Sequence, residues 1–335
     1  MFLELDKSLV LVVDGISEKT EEFTRKYITP KAEIIFSNYD SEVNNKYIAD
    51  AHVLITSTKG IHADLLSKAS KCIYIQKYGS GVNNIAINDA NRRNIPVGAI
   101  IGGNARTVAE YALTLALAVY KQIVKGHNSL VGEGKWLKTV LRDNNYDVSG
   151  KKVGIIGFGN IGQNLRQLFL GFGNEVFYYD IFRLSMEKEK ELNVTYLELD
   201  DLLSTCDLIS LHCPLLPETK YLINEQRISK MKPNAVLVNC ARGGIVEEKA
   251  LYQALKEKRI LGAGIDTYES EPMEKGHMFT TLDNVVLGPH NGGGTVECIE
   301  YVVKRASLNI NSILTTGKVA LPDDLVNLKD IKLNY

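Results

Sequence analysis

The chain has 335 residues, 45% hydrophobic and 24% charged, with a formal net charge of −1 at pH 7. At roughly 150 residues per domain this is room for about two cores, and the balanced charge offers no global basic field for nucleic acid or an anionic membrane. The opening MFLELDKSLVLVVDG is acidic where a signal peptide is basic, its apolar run Leu9–Val13 is far too short to span a bilayer, and five scattered cysteines without a CxxC pair fit a reduced, cytoplasmic protein.

In chain order, SLVLVVDG, AEIIFS, AHVLITST and CIYIQKYG predict strands near 8–14, 33–37, 52–57 and 72–76, most of them separated by segments of helical length. That alternation argues for a parallel sheet with crossover helices. NARTVAEYALTLALAVYKQI (104–123) predicts a helix apolar on nearly all sides, which must be buried between domains or between subunits. The aperiodic stretch 127–150 predicts an arm or loop. A second series follows, KKVGIIG, EVFYYD, DLISLHCP, AVLVNCA, ILGAGID and NVVLGP, which is the strand content of a doubly wound nucleotide-binding domain. GTVECIEYVVKRASLNINSILTTGK then predicts a long helix that carries the chain back to the first domain.

In the second series, an apolar strand runs into Gly157-Phe158-Gly159-Asn160-Ile161-Gly162 and on into a helical pattern. In that context Gly157 permits the tight turn, Gly159 lets backbone approach a pyrophosphate, and Gly162 lets helix and strand pack closely. The helix N-terminus offers N–H groups to phosphates. The next strand ends at Asp180, whose carboxylate suits both ribose hydroxyls of adenosine and repels a 2′-phosphate, so the expected cofactor is NAD rather than NADP. Arg183 qualifies that preference without reversing it. His212 and Cys213 are followed by no second ligand pair at a zinc-like spacing, so no metal is expected.

Three later strands each end in a group that chemistry can use: Arg242 after AVLVNCA, Asp266, Glu269 and Glu271 after GAGID, and His290 after NVVLGP. Ligands of open α/β sheets bind outside the carboxyl ends of the strands, so these residues share a rim with the glycine loop. Arginine forks a carboxylate and polarises a carbonyl. Histidine exchanges a proton near neutral pH, and a neighbouring carboxylate holds its orientation.

These motifs, with YGSGVNNI (78–85), NARTVAEYA (104–112), HCPLLPETK (212–220), NCARGGIVEEKAL (239–251), GAGIDTYESEP (262–272) and GPHNGGG (288–294), run in order through most of the chain. They resemble the D-isomer-specific 2-hydroxyacid dehydrogenases. The resemblance implies that Arg242 binds the substrate carboxylate and carbonyl, that His290 is the acid/base, and that Glu271, the acid before Pro272, pairs with it. Glu269 sits where the family varies and is left out. Asp266 resembles the acid that meets the nicotinamide carboxamide, and Pro214 lines the adenine pocket, with His212 supporting the turn before it. Ser80 and Gly81 resemble the loop that holds the substrate carboxylate, while Asn104 and Thr107 resemble the hinge beside the nicotinamide. Cys240 falls near the nicotinamide, either as a redox-sensitive thiol or, better, as a small core residue.

The implied architecture is two doubly wound parallel-sheet domains. A Rossmann NAD-binding domain (104–292) is inserted into a flavodoxin-like substrate domain (1–103 and 293–335), with dimer contacts from the 104–123 helix and the 127–150 arm. The implied activity is hydride transfer between NAD(H) and a small 2-keto or D-2-hydroxy acid in a homodimer without nucleic-acid or membrane partners. Phosphoglycerate, glyoxylate or hydroxypyruvate, and lactate-like acids all fit the shared core. An NAD(H)-sensing corepressor-like binding protein on the same fold is the alternative, and a complete acid–base set favours the enzyme. Departures from the family pattern are Asn83 for an aspartate, and Asn291 and Gly294 after the histidine. Lys77 and Tyr78 precede the substrate loop, where Lys77 reads better as a solvated lysine than as a substrate contact.

Overall fold

The computed structural model describes residues 8–333, and residues 1–7, whose acidity bears on the signal-peptide expectation, lie outside them. Its chain contacts divide it into two compact units: the described residues up to Asn104 together with those from Gly294, and Ala105–Gly293. Among the described residues no helix is long and apolar enough to cross a membrane.

The first unit holds strands β1 (Leu9–Val12), β2 (Glu33–Phe36), β3 (Val53–Thr56), β4 (Tyr74–Lys77) and β5 (Val97–Ala99) in the order β2-β1-β3-β4-β5. All four pairings are parallel. Every residue of β1, β3 and β4 is buried, as a parallel sheet covered on both faces requires. Four of these strands fall where the apolar runs predict them. β5 was not predicted, because three residues between a proline and a glycine-rich turn carry too little periodicity. The long C-terminal helix, Val296–Thr316, starts on Thr295, whose side chain accepts the Cys298 N–H, and stops at Gly317 in the left-handed region. It buries Cys298, Val302, Ala306, Ile310 and Ile313, one face at helical spacing, and packs against the helix Glu18–Tyr27.

The second unit holds β6 (Lys152–Ile156), β7 (Glu175–Tyr179), β8 (Thr195–Tyr196), β9 (Leu208–Leu211), β10 (Val236–Asn239), β11 (Gly262–Ile265) and β12 (Val285–Leu287). Its sheet runs β12-β11-β10-β9-β6-β7-β8, all parallel. The chain direction of assembly reverses between β6 and β9, which is the Rossmann order extended by one strand, while the first sheet has the flavodoxin-like order. This is the two-domain α/β class expected from the sequence. Only β8, two residues long, had no strand signal.

Two expectations for this unit are corrected. The predicted apolar helix forms as Ala105–Tyr120, but its buried residues, including Val108, Ala112, Leu115 and Val119, pack inside the unit on β10, β11 and β12 and on the helix Asn160–Leu170. Burial within one unit therefore accounts for most of its apolar surface. The supposed irregular arm contains helices Ile123–Val131 and Lys138–Arg142. Most apolar residues of these two helices are exposed, and Val131 and Trp136 reach 74% and 78%, so no inward stripe betrayed the helical period.

Candidate active site

The glycine loop is shaped by what it must clear. Gly157 has φ +90°, and a Cβ there would lie 2.5 Å from the Cys213 backbone nitrogen just past β9. Only glycine satisfies both conditions. A Cβ on Gly162 would likewise strike the Gly157 carbonyl oxygen at 2.4 Å, so helix Asn160–Leu170 sits directly on the turn. Gly159 is different, because a Cβ there would meet nothing within 4 Å. It caps the helix without a side-chain hydrogen bond. The backbone amides of Asn160, Ile161 and Gly162 form the first turn, which has no intrahelical acceptor. Open space before unsatisfied amides at a positive helix end fits the pyrophosphate of a dinucleotide.

Asp180 is tied to that loop. Its Oδ2 accepts the Phe158 N–H at 2.7 Å and its Oδ1 accepts the Phe182 N–H at 2.9 Å. Ile181 and Phe182 follow it with 75% and 80% exposure, an apolar pair that sequence reading passed over. On the neighbouring strand end, His212 turns back to Ser210 Oγ (Nε2 at 2.8 Å), and its buried Nδ1 has no partner among the described residues. Burial pushes this imidazole down to about 3, so it stays neutral. Pro214 is exposed, and its carbonyl accepts the Thr219 hydroxyl at 2.6 Å.

At the ends of β10, β11 and β12 the fold brings Arg242, Asp266, Glu271 and His290 onto one rim. His290 Nδ1 lies 2.6 Å from Glu271 Oε2, and Glu271 Oε1 accepts the Tyr268 N–H at 3.0 Å. A carboxylate only accepts, so Nδ1 carries the hydrogen and Nε2 is left to exchange a proton. The Arg242 turn is held by Asn239, whose side chain donates to the Arg242 carbonyl and accepts from the Ala241 N–H, both at 3.0 Å. A Cβ on Gly243 would sit 1.7 Å from the Tyr268 carbonyl oxygen, so the arginine turn presses directly on the segment that leads to Glu271. Arg242 itself is exposed, with Nη1 donating to its neighbour's carbonyl at 2.7 Å.

Asp266 is almost fully buried and accepts the Asn291 and Gly292 N–H groups at 3.0 and 2.8 Å, which anchors the loop after His290. Tyr111 converges on it beside Gly288, and burial, then Asp266, pushes the phenol up to about 12. Glu269 has a scaffolding job: it accepts the Glu248 N–H and the Tyr221 hydroxyl. Cys240 is buried and its thiol is pushed up, by burial first and then by the charge of Asp266, which disfavours the reactive thiolate. Thr107 is half-buried in the first turn of Ala105–Tyr120. Asn239 and Tyr111 were missed on sequence, although both lie inside the motifs. Among the described residues no group of three or more His, Cys, Asp or Glu is placed to hold a metal ion.

The first unit carries the other residues singled out. Ser80 is exposed and Gly81 half-buried in the loop after β4, and Asn104 is half-buried at the unit's edge. Lys77 corrects the expectation of a solvated lysine: it is 6% exposed, and its ammonium donates to the Ser57 carbonyl and, at 3.4 Å, to Asn84 Oδ1. It lies at the end of an interior strand, where the loops of Ser57 and Asn84 leave it little solvent. Tyr78 is also buried, 3.2 Å from the Thr24 hydroxyl.

Residues 113–292 match the family model described as D-isomer specific 2-hydroxyacid dehydrogenase, NAD binding domain. A glyoxylate reductase from Thermococcus litoralis is 39% identical over 287 residues, which is 84% of each chain. A hydroxypyruvate reductase from Thermotoga maritima is 37% identical over 79% of this chain and 85% of its own. The crystal structure of the TT0316 protein from Thermus thermophilus superposes with a TM-score of 0.84 at 29% identity, covering 95% of this chain and 99% of that one.

Proposed function

The chain belongs to the D-isomer specific 2-hydroxyacid dehydrogenases, and on that premise we propose that it reduces a short 2-keto acid, glyoxylate or hydroxypyruvate, to the 2-hydroxy acid with NADH. The observation that carries this reading is the 2.6 Å pairing of His290 Nδ1 with Glu271 on the rim where Arg242 also stands. A dinucleotide held by the glycine loop and the first amides of the helix Asn160–Leu170 would supply the hydride for C2. The Arg242 fork holds the substrate carboxylate and faces the carbonyl oxygen, where negative charge grows as C2 is reduced. Protonated His290 delivers its Nε2 proton to that oxygen, and Glu271 keeps the ring in the orientation that allows it. Asp266 acts by fixing the loop behind His290 as well as by facing the nicotinamide side. We carry Ser80 and Gly81 forward as backbone donors to the substrate carboxylate, and Asn104 and Thr107 as the segment beside the nicotinamide.

The relatives' names support the substrate choice. NADH oxidation with glyoxylate, hydroxypyruvate, pyruvate and a phosphorylated 2-keto acid tests it, and the first two should exceed pyruvate in kcat/KM by about tenfold, the order of discrimination one small group gives. A chain that binds NADH but turns over none of the panel would favour the sensing protein instead. The exposed apolar residues Ile123, Val131 and Trp136 support a second copy of the chain as partner. Sedimentation at twice the chain mass is the expected result.

A further inference from the structure

The turn after β7 holds one cation, Arg183, three residues beyond Asp180. In an unrestrained turn an arginine at this place would be a natural partner for a 2′-phosphate on the adenine ribose. Here it is already engaged. Its Nε lies 2.9 Å from Glu189 Oε1 and its Nη2 3.4 Å from Oε2, while the guanidinium carbon sits 4.7 Å from the centre of the Tyr196 ring. Glu189, on the helix Met186–Leu192, is the fixed point of this arrangement, with a side chain only 13% exposed. Its Oε1 also accepts the hydroxyl of the fully buried Tyr178 at 2.9 Å, and that hydroxyl accepts the Leu184 N–H at 2.9 Å. The two ends of the turn are therefore both pinned: Asp180 to Phe158 and Phe182, Arg183 and Leu184 to Glu189 and Tyr178. The Arg183 hydrogen bond holds the Glu189 carboxyl below the usual carboxylate range, so the latch is charged at neutral pH.

We propose that Glu189 is a specificity-determining residue for the cofactor, holding Arg183 on the Tyr196 side so that a 2′-phosphate meets the Asp180 carboxylate and finds no arginine free to offset it. The inference rests on the reading that the glycine loop holds an adenine dinucleotide. Discrimination then has two layers, repulsion by Asp180 and withdrawal of Arg183. Removing Glu189 returns the guanidinium to the turn without altering the glycine loop or any residue of the β10–β12 rim.

The test is calorimetric titration of NADH and NADPH into the whole chain and its variants, with no substrate present. Glu189→Ala should tighten NADPH while leaving NADH within about twofold, and in an Asp180→Ala background the gain should reach about tenfold, the worth of one charge-assisted hydrogen bond. Glu189→Gln, which keeps the Tyr178 contact and removes the charge, should show a smaller gain of the same sign. Adding Arg183→Gln should abolish the gain. Unchanged NADPH affinity in both Glu189 variants and both backgrounds, or a gain that survives Arg183→Gln, overturns the proposal while leaving NADH binding intact. A wild-type chain that binds neither dinucleotide overturns the cofactor reading, and this inference with it.

Discussion

Two stretches of the rim at the carboxyl ends of the seven-stranded sheet, one after β6 and one after β10–β12, present different parts of the chain to a ligand. At the end of β6 the chain offers the main-chain amides that open the helix Asn160–Leu170, and even Asp180 spends hydrogen bonds on the loop backbone. At the ends of β10, β11 and β12 the backbone is occupied inwardly, by Asn239 and Asp266, and side chains face outward. A site made of backbone cannot be changed without deforming the turn that makes it. A site made of partly exposed side chains can lose its chemistry and keep its shape. On the proposed assignment, binding of the cofactor and reduction of the substrate should therefore be separable.

The largest effect that sharpens the contrast belongs to His290→Ala. It should lower kcat by about 10²–10⁴-fold, the range for a lost general acid/base, while the melting temperature and the NADH dissociation constant stay near wild type. Proportional loss of NADH affinity would erase the separation. Arg242→Lys keeps the charge and loses the planar fork, so kcat/KM for the keto acid should fall about 10–100-fold, with NADH affinity kept. Steady-state kinetics and NADH titration on one preparation measure both quantities.

The turn after β6 should respond in the opposite way. Gly157→Ala forces a side chain into a backbone conformation at φ +90° against the Cys213 nitrogen. It should cost about 1–3 kcal/mol of stability and weaken NADH binding, read by thermal melts and titration. A stable variant that binds NADH normally but fails to reduce the keto acid would break the comparison. The remaining effect is a pH dependence, small per pH unit near neutrality. His212 titrates near 6.5 when unfolded and near 3 when folded, so the unfolded chain binds a proton the folded chain refuses. Stability from this group is intact above about 6.5 and falls by at most about 1.4 kcal/mol per pH unit on acidification toward 3. His212→Gln should flatten denaturant-measured stability in that window relative to wild type, and parallel curves would count against a buried neutral imidazole.

What could be read in advance follows the same division. Backbone requirements surface as glycines at fixed spacing, so the strand–turn–helix and the acid tied to it were legible from Gly157, Gly159, Gly162 and Asp180. Buried strands were legible from unbroken apolar runs, and β5 and β8 were lost because two or three residues make no run. The helices of the arm were lost because their apolar residues point outward. Arg242, Glu271 and His290 came from the order of motifs, since nothing in local pattern tells a catalytic histidine from a satisfied one. Lys77 and Glu189 show the limit from the other side. Their roles depend on carbonyls, rings and hydroxyls brought close by the fold, and a charged letter in a sequence carries no sign of its partner.

The proposed acid/base is a pair, and a double-mutant cycle on kcat for the preferred keto acid at saturating NADH tests that most directly. Glu271→Gln should slow the wild-type enzyme by about tenfold or more and slow His290→Ala by no more than about twofold, because a group that acts only through the imidazole has nothing left to orient. If Glu271→Gln costs the same factor in both backgrounds, the two residues act independently and the assignment of the pair is wrong.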